Sequence, residues 1–246
     1  MIDCYTHLDM ASVSPVDDMH ARMAAAGLDR ALAVETWSGA NRSILEELEA
    51  VELEGAGDAQ FRVAYCYREQ ARNQLRAWLG RPRVVALRVK TSHLQNEPDW
   101  IGLLAESDRY LLVHADKGVG ALARLLPAIS ARWPDLRIYV PHLAWPRRQG
   151  QDDPDWRPAL EVLTRIPRLV LGISALAHFS LQPFPHDDVR RLAQSTLAVF
   201  GPHQVVAGSD YPLFDRDRYP EYMALATRWI LDAHPAWSDS GILFAD

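Results

Sequence analysis

The chain alternates short runs of consecutive apolar residues with longer stretches whose apolar positions recur at helical spacing. The short runs fall at residues 2–7, 31–36, 62–67, 84–90, 110–114, 136–142, 169–174 and 205–209. They are separated by roughly 20–35 residues, the spacing of βα units. Because they are continuously apolar rather than alternating, they read as strands buried on both faces, as in a parallel sheet. Helical patterns lie between them at 17–26, 43–53, 70–79, 99–106, 119–133, 155–166, 187–200 and 219–233. Gly27 follows the first as a C′ glycine. The second carries Leu45, Leu48 and Val51 on one face and glutamates on the other. Pro127 inside the fifth pattern should kink or split it, because proline removes a backbone donor and clashes with the preceding turn. Eight strands alternating with eight helices predict an α/β fold, a (β/α)8 TIM barrel, in one domain spanning 1–246. A doubly wound open sheet would more typically show a glycine-rich turn after its first strand, and none is present.

Composition narrows the class. With 48% hydrophobic and 24% charged residues the chain is an ordinary globular protein. A net charge of -6 and the lack of any Lys/Arg-rich run argue against a nucleic-acid partner. Cys4 and Cys66 sit inside apolar runs, so they read as inert core thiols suited to a reducing compartment. The start Met1-Ile2-Asp3 lacks the basic and apolar regions of a signal peptide, and no apolar run approaches membrane-spanning length. The expectation is a soluble cytoplasmic protein with no membrane partner. A homo-oligomer is compatible with this.

The chemistry is concentrated at strand ends. The first strand closes as Tyr5-Thr6-His7, the fifth at His114, the sixth at His142 and the eighth at Gly208-Ser209-Asp210. Side chains alternate faces along a strand, so Tyr5 and His7 should share one face and Cys4 and Thr6 the other. In a barrel the C-terminal strand ends form one rim, where active sites lie. Three imidazoles and a carboxylate at that rim make a donor set suited to a divalent ion, zinc by preference. A single histidine at a strand end would more often be structural; four donors at matching ends outweigh that bland reading.

The segments Ile2-Asp3-Cys4-Tyr5-Thr6-His7-Leu8, Gly27-Leu28-Asp29-Arg30-Ala31, Val113-His114-Ala115, Pro141-His142-Leu143-Ala144-Trp145-Pro146 and Gly208-Ser209-Asp210-Tyr211-Pro212 occur in this order over nearly the whole chain. Together they resemble the amidohydrolase-related branch of the metal-dependent amidohydrolase superfamily. The resemblance implies a barrel enzyme that hydrolyses esters, lactones or amides, or that decarboxylates unsaturated or aromatic acids. It implies that His7, His114 and Asp210 help hold a divalent metal ion. His142 would be a further ligand or a substrate contact, and Asp210 would handle protons of the attacking water. A bound ion lowers the pKa of its water from about 15.7 towards 7. The ion, or His142 as donor, would stabilise the oxyanion.

One position departs from that pattern. The family usually opens with a His-x-His pair, and here Tyr5 stands first. A phenol with an ordinary pKa near 10 is a poor ligand at neutral pH. The site is therefore read as a metal centre with Tyr5 outside it, as a metal-free lactonase with Tyr5 as donor, or, last, as a non-catalytic binding pocket. The leading expectation is a metal-dependent hydrolase of a small carboxylated ester, lactone or amide; a non-oxidative decarboxylase is the runner-up.

Neighbouring residues fill out the pocket. Arg88 and Lys90 end the fourth strand and could receive a substrate carboxylate. Trp37 and Trp145 follow strands and could wall an aromatic ligand. Tyr65 and Tyr67 read as core at least as readily as substrate contacts. Arg147 and Arg148, in the loop after the sixth strand, read equally as anion contacts or solubilising charges. His93 and His178 are minor candidates, while His20, His186, His203 and His234 read as surface residues.

Overall fold

A computed structural model describes residues 1–37, 44, 48, 61–68, 73–95, 99–146 and 155–238. The predicted helix 43–53 and the candidates Arg147 and Arg148 fall outside these residues, apart from the two isolated positions. Eight strands form one parallel sheet in chain order: Ile2–Thr6 (β1), Arg30–Val34 (β2), Phe61–Cys66 (β3), Val84–Lys90 (β4), Tyr110–His114 (β5), Arg137–Val140 (β6), Leu169–Ile173 (β7) and Val205–Ala207 (β8). Each strand pairs in parallel with the next, from β1–β2 through β7–β8. These are the predicted strands with some ends trimmed. Among the helices, Pro15–Ala25, Trp100–Glu106, Val119–Arg132, Trp156–Leu163, Asp187–Leu197 and Tyr219–Ala233 follow the predicted patterns.

The continuous apolar runs are explained by two packed layers. Alternate strand residues such as Leu32, Val34, Ala86, Leu112, Tyr139 and Val206 cluster inside the barrel. The others, such as Ala31, Val63, Leu87, Leu111 and Ile138, face the surrounding helices and pack with Met19, Leu122 and Ile230. Leu122, Leu126 and Ile129 are fully buried on one helix face. Helix Val119–Arg132 runs unbroken through Pro127, contrary to the expected split. Packing of that face offsets the roughly 3 kcal/mol that an interior proline costs.

The strand β1 carries the decisive irregularity. Its register against β2 shifts between Asp3 and Thr6, the mark of a bulge. As a result both Cys4 and Tyr5 lie in the barrel interior, so strict alternation fails for Cys4. Beyond the bulge the parity is the one expected: Thr6 turns outward to Met19 of the first helix, and His7 turns to the rim with Tyr5.

The last and first strands meet without an ordinary ladder. The His7 amide donates to the Tyr211 carbonyl at 2.7 Å, and the Asp210 amide to the Tyr5 carbonyl at 2.9 Å. Below them the fully buried Asp3 carboxylate accepts from Ser209 N at 2.9 Å, Ser209 Oγ at 2.6 Å, Tyr219 Oη at 2.9 Å and Tyr5 N at 3.1 Å. One carboxylate thus joins β1, the turn after β8 and the C-terminal helix. The seam also needs Gly208: a Cβ there would lie 2.9 Å from Tyr5 Cβ and 3.0 Å from Tyr5 N. Among the described residues, no helix is long and apolar enough to cross a membrane.

Burial raises the Asp3 carboxyl to about 6, against the lowering effect of its four donors. A folded pKa above the unfolded 3.8 means that Asp3 contributes most below pH 4 and loses that contribution as pH rises through 6. Asp3→Ala should destabilise by about 2–4 kcal/mol, since it leaves buried donors without a partner. The destabilisation should be larger at pH 4 than at pH 7, which urea unfolding of both proteins across that range would measure.

Candidate active site

The rim of the barrel brings His7, His142 and Asp210 together. His7 Nε2 lies 3.7 Å and His142 Nε2 lies 3.8 Å from the same Asp210 oxygen, Oδ1. Each is held from behind. His7 Nδ1 makes a short hydrogen bond with the Val34 carbonyl at the end of β2. His142 Nδ1 lies 3.0 Å from Ser174 Oγ, just past β7. Asp210 is fixed by its own amide on Tyr5 and adopts a left-handed backbone, φ 68°.

The turn after β6 is more unusual. His142, Leu143, Ala144 and Trp145 all have φ between 54° and 60°. A non-glycine residue in the left-handed region costs roughly 1–2 kcal/mol. Such strain persists where surrounding packing over-determines it, and it collects at functional sites. Here Leu143 and Ala144 are fully buried, and the turn delivers both His142 and Trp145 to the rim.

His114 takes a different place. Its ring is 6.2 Å from that of His142 and is packed between Trp145 at 4.4 Å and Trp37 at 5.1 Å. Among the described residues, no group of three or more His, Cys, Asp or Glu side chains is placed to hold a metal ion. The four-ligand set of His7, His114, His142 and Asp210 therefore does not close in this arrangement. His114 makes its ring contacts with Trp37, Trp145 and His142, and Tyr5 stands in the place of the family's first imidazole.

Arg88 and Lys90 stand where their strand parity puts them. Arg88 shares the interior face of β4 with Ala86 and is 6% exposed. Its guanidinium lies 3.7 Å over the Trp37 ring and donates to the Glu35 carbonyl. It has no carboxylate partner at ion-pair distance among the described residues, and its Nε is buried without a hydrogen bond. Lys90 Nζ lies 4.9 Å over the same Trp37 ring. Three more buried polar atoms at the same rim lack a partner: Tyr5 Oη, Trp37 Nε1 and His114 Nδ1. Buried polar groups are nearly always paired, so this clustering is the signature of a ligand site.

The charge states follow from burial. The Tyr5 phenol is pushed up by burial and stays protonated, a donor. Burial lowers His142 to about 3 and His114 to about 4, with the Arg88 cation acting in the same direction. Both imidazoles are therefore neutral at pH 7. Burial works against ionisation of Asp210, but His142, the hydrogen bond from His7 and the Arg88 cation hold its carboxyl below the ordinary range. The site presents an ionised base amid neutral donors, with the Arg88 cation lacking a carboxylate at ion-pair distance among the described residues.

Other expectations sort themselves by position. Tyr65 stacks on Trp78 at 4.6 Å and Tyr67 on Trp100 at 4.9 Å, so both are core. His93 accepts from the Lys90 amide. A cavity of about 500 Å³ opens on the outer side of Trp145, lined by Asp116, Lys117, Arg124 and His178 among others. His186 is buried rather than superficial, bonded to Gln182 O and Tyr222 Oη, where it ties the loop after β7 to the C-terminal helix. Sequence reasoning missed Glu35, Ser174 and Asp3. All three are polar residues inside or at the end of apolar strand runs, which is the signal that found His114 and Asp210.

A family described as amidohydrolase matches residues 2–236. No curated protein matches the chain in sequence. Among solved structures, a zinc-bound amidohydrolase from Burkholderia multivorans superposes with a TM-score of 0.72 at 18% identity, covering 97% of this chain and 93% of that one. A protein assigned as a 2-pyrone-4,6-dicarboxylic acid hydrolase from Pseudomonas putida gives 0.69 at 19% identity, covering 94% and 93%. The 5-carboxyvanillate decarboxylase of Sphingomonas paucimobilis gives 0.52 at 16% identity, covering 87% and 76%. At these identities the likeness shows a shared fold.

A buried cation with no carboxylate at ion-pair distance among the described residues costs stability. Replacing it by an apolar residue of similar length, Arg88→Met, should raise the unfolding free energy by about 1–2 kcal/mol. A urea midpoint that falls instead would make Arg88 a structural residue.

Proposed function

The chain belongs to the amidohydrolase family, and from that premise we propose that it hydrolyses a small carboxylated lactone or ester with Asp210 as general base. The observation that carries this reading is an ionised Asp210 at one rim with a buried Arg88 that has no carboxylate at ion-pair distance among the described residues, beside buried polar atoms without hydrogen-bond partners there. Arg88, with Lys90 behind it, would receive the substrate carboxylate, and Arg88 is suited to bidentate recognition. Trp37 and Trp145 would flank a planar ring.

The reaction uses these groups in sequence. Asp210 takes a proton from water as its oxygen attacks the carbonyl carbon. The oxyanion that forms accepts hydrogen bonds from the Tyr5 phenol and from His142, which are desolvated and pre-positioned. The carbon–oxygen bond to the leaving group then breaks, and Asp210 returns the proton to the departing oxygen. Asp210 is ionised at rest, so it is poised to accept a proton first. A decarboxylase would need it to donate one first to the ring carbon, which makes that chemistry the second reading.

Zinc is present in the Burkholderia structure, and the family is usually metal-dependent. In this chain a zinc centre would require His114 to leave its tryptophan sandwich and turn toward Asp210. Metal analysis of protein purified without added ions decides between the versions. About one ion per chain, lost in His114→Ala, supports the metal version; ion-free protein that turns over supports the Tyr5 version.

Lactones bearing carboxylates, 2-pyrone-4,6-dicarboxylate first, are the substrates to assay by ring opening, with carbon dioxide release measured alongside. Asp210→Asn should lower kcat by about 10²–10⁴-fold. With burial lowering His142 to about 3 and His114 to about 4 and Asp210 held below its ordinary range, none of these three should give an acid limb between pH 8 and pH 5. An acid limb near pH 6.5 that His142→Gln or His114→Gln abolishes would contradict this assignment of charge states.

A further inference from the structure

The two imidazoles beside Asp210 are held by different kinds of partner, and that difference has chemical content. The partner of His7 Nδ1 is a backbone carbonyl, which can only accept. His7 therefore carries a proton on Nδ1. The partner of His142 Nδ1 is a hydroxyl, which can accept or donate. Ser174 Oγ already accepts from the His142 backbone amide at 3.1 Å, and it is 3.0 Å from Nδ1 of the same residue. These two are its only hydrogen-bonding contacts among the described residues, and Ser174 is fully buried.

Counting protons resolves the hydroxyl. If His142 Nδ1 donated to Ser174, the serine proton would be buried with no acceptor among the described residues. If the serine donates to Nδ1, its proton has an acceptor while Oγ still accepts from the His142 amide. The imidazole proton must then sit on Nε2, the nitrogen that faces Asp210 at 3.8 Å. We infer that Ser174 is a positioning residue that holds His142 with its proton on Nε2, making it a hydrogen-bond donor to the reacting oxygen rather than a metal ligand.

With its proton on Nε2, His142 presents a donor on this flank of Asp210, suited to the oxyanion. An imidazole nitrogen that carries a proton has no lone pair to give an ion. Ligation through His142 Nε2 would move the proton to Nδ1 and strand the serine hydrogen. The role in turnover rests on the hydrolytic reading above; the tautomer itself does not.

Long-range proton–nitrogen correlation spectra of the full-length, uniformly nitrogen-15-labelled protein read the tautomer directly. The His142 ring is identified as the resonance missing in His142→Gln. In the wild-type protein it should show a protonated Nε2 and a bare Nδ1, and one equivalent of zinc should leave it unchanged. In Ser174→Ala the ring should shift toward the other tautomer. A protonated Nδ1 in the wild type, loss of the Nε2 proton on adding zinc, or an unchanged tautomer in Ser174→Ala would each overturn the inference. With a lactone that is turned over, Ser174→Ala should lower kcat about 10–100-fold with little change in KM. If no lactone or ester is turned over by the wild type, the hydrolytic reading fails while the spectra still decide the tautomer.

Discussion

The seam between β8 and β1 is the constraint on which the site depends. A parallel barrel has to close on itself, and here the closing strands are short and joined by few backbone bonds. The Asp3 carboxylate supplies what the ladder does not, by collecting four donors from β1, the turn after β8 and the C-terminal helix. The same seam sets two residues of the candidate site. His7 and Asp210 each hang from an amide bonded across it, so the geometry of closure is also the geometry of the site.

Around the seam the barrel tolerates costs that a purely structural core would avoid. Four consecutive left-handed residues carry His142 and Trp145, and among the described residues a buried arginine has no carboxylate at ion-pair distance and several polar atoms at the rim lack a hydrogen-bond partner. Each is unfavourable taken alone. Together they fit the proposed substrate, an anion with hydrogen-bond acceptors of its own. The continuous apolar packing on both faces of the strands holds these features in place.

Electrostatics then differentiates residues that look alike in sequence. His114 and His142 are both neutral through burial, yet one is enclosed by tryptophans and the other faces the carboxylate. Tyr5, standing where the family pattern has an imidazole, remains protonated and so adds a donor rather than a ligand. His7 rests on a backbone carbonyl and His142 on a hydroxyl, a difference between the two flanks of Asp210 that no charge count would reveal.

Much of this was legible beforehand. Continuous apolar runs at regular spacing dictate strands buried on both faces, and strand parity alone puts Arg88 and His114 at the rim. Tyr5 and His7 share a face for the same local reason. The bulge that places Cys4 on the inner side depends on pairing with β2, and no single strand encodes it. Pro127 reads as a helix breaker until its neighbours are seen buried against the barrel. Whether His114 reaches Asp210 is decided by Trp37 and Trp145, which come from other loops. Residue type and period act within a few positions, so sequence determines elements and the donors they carry; distances between donors from different strands, and the side of a ring on which a proton sits, arise only when the barrel closes and each buried group must find its partner.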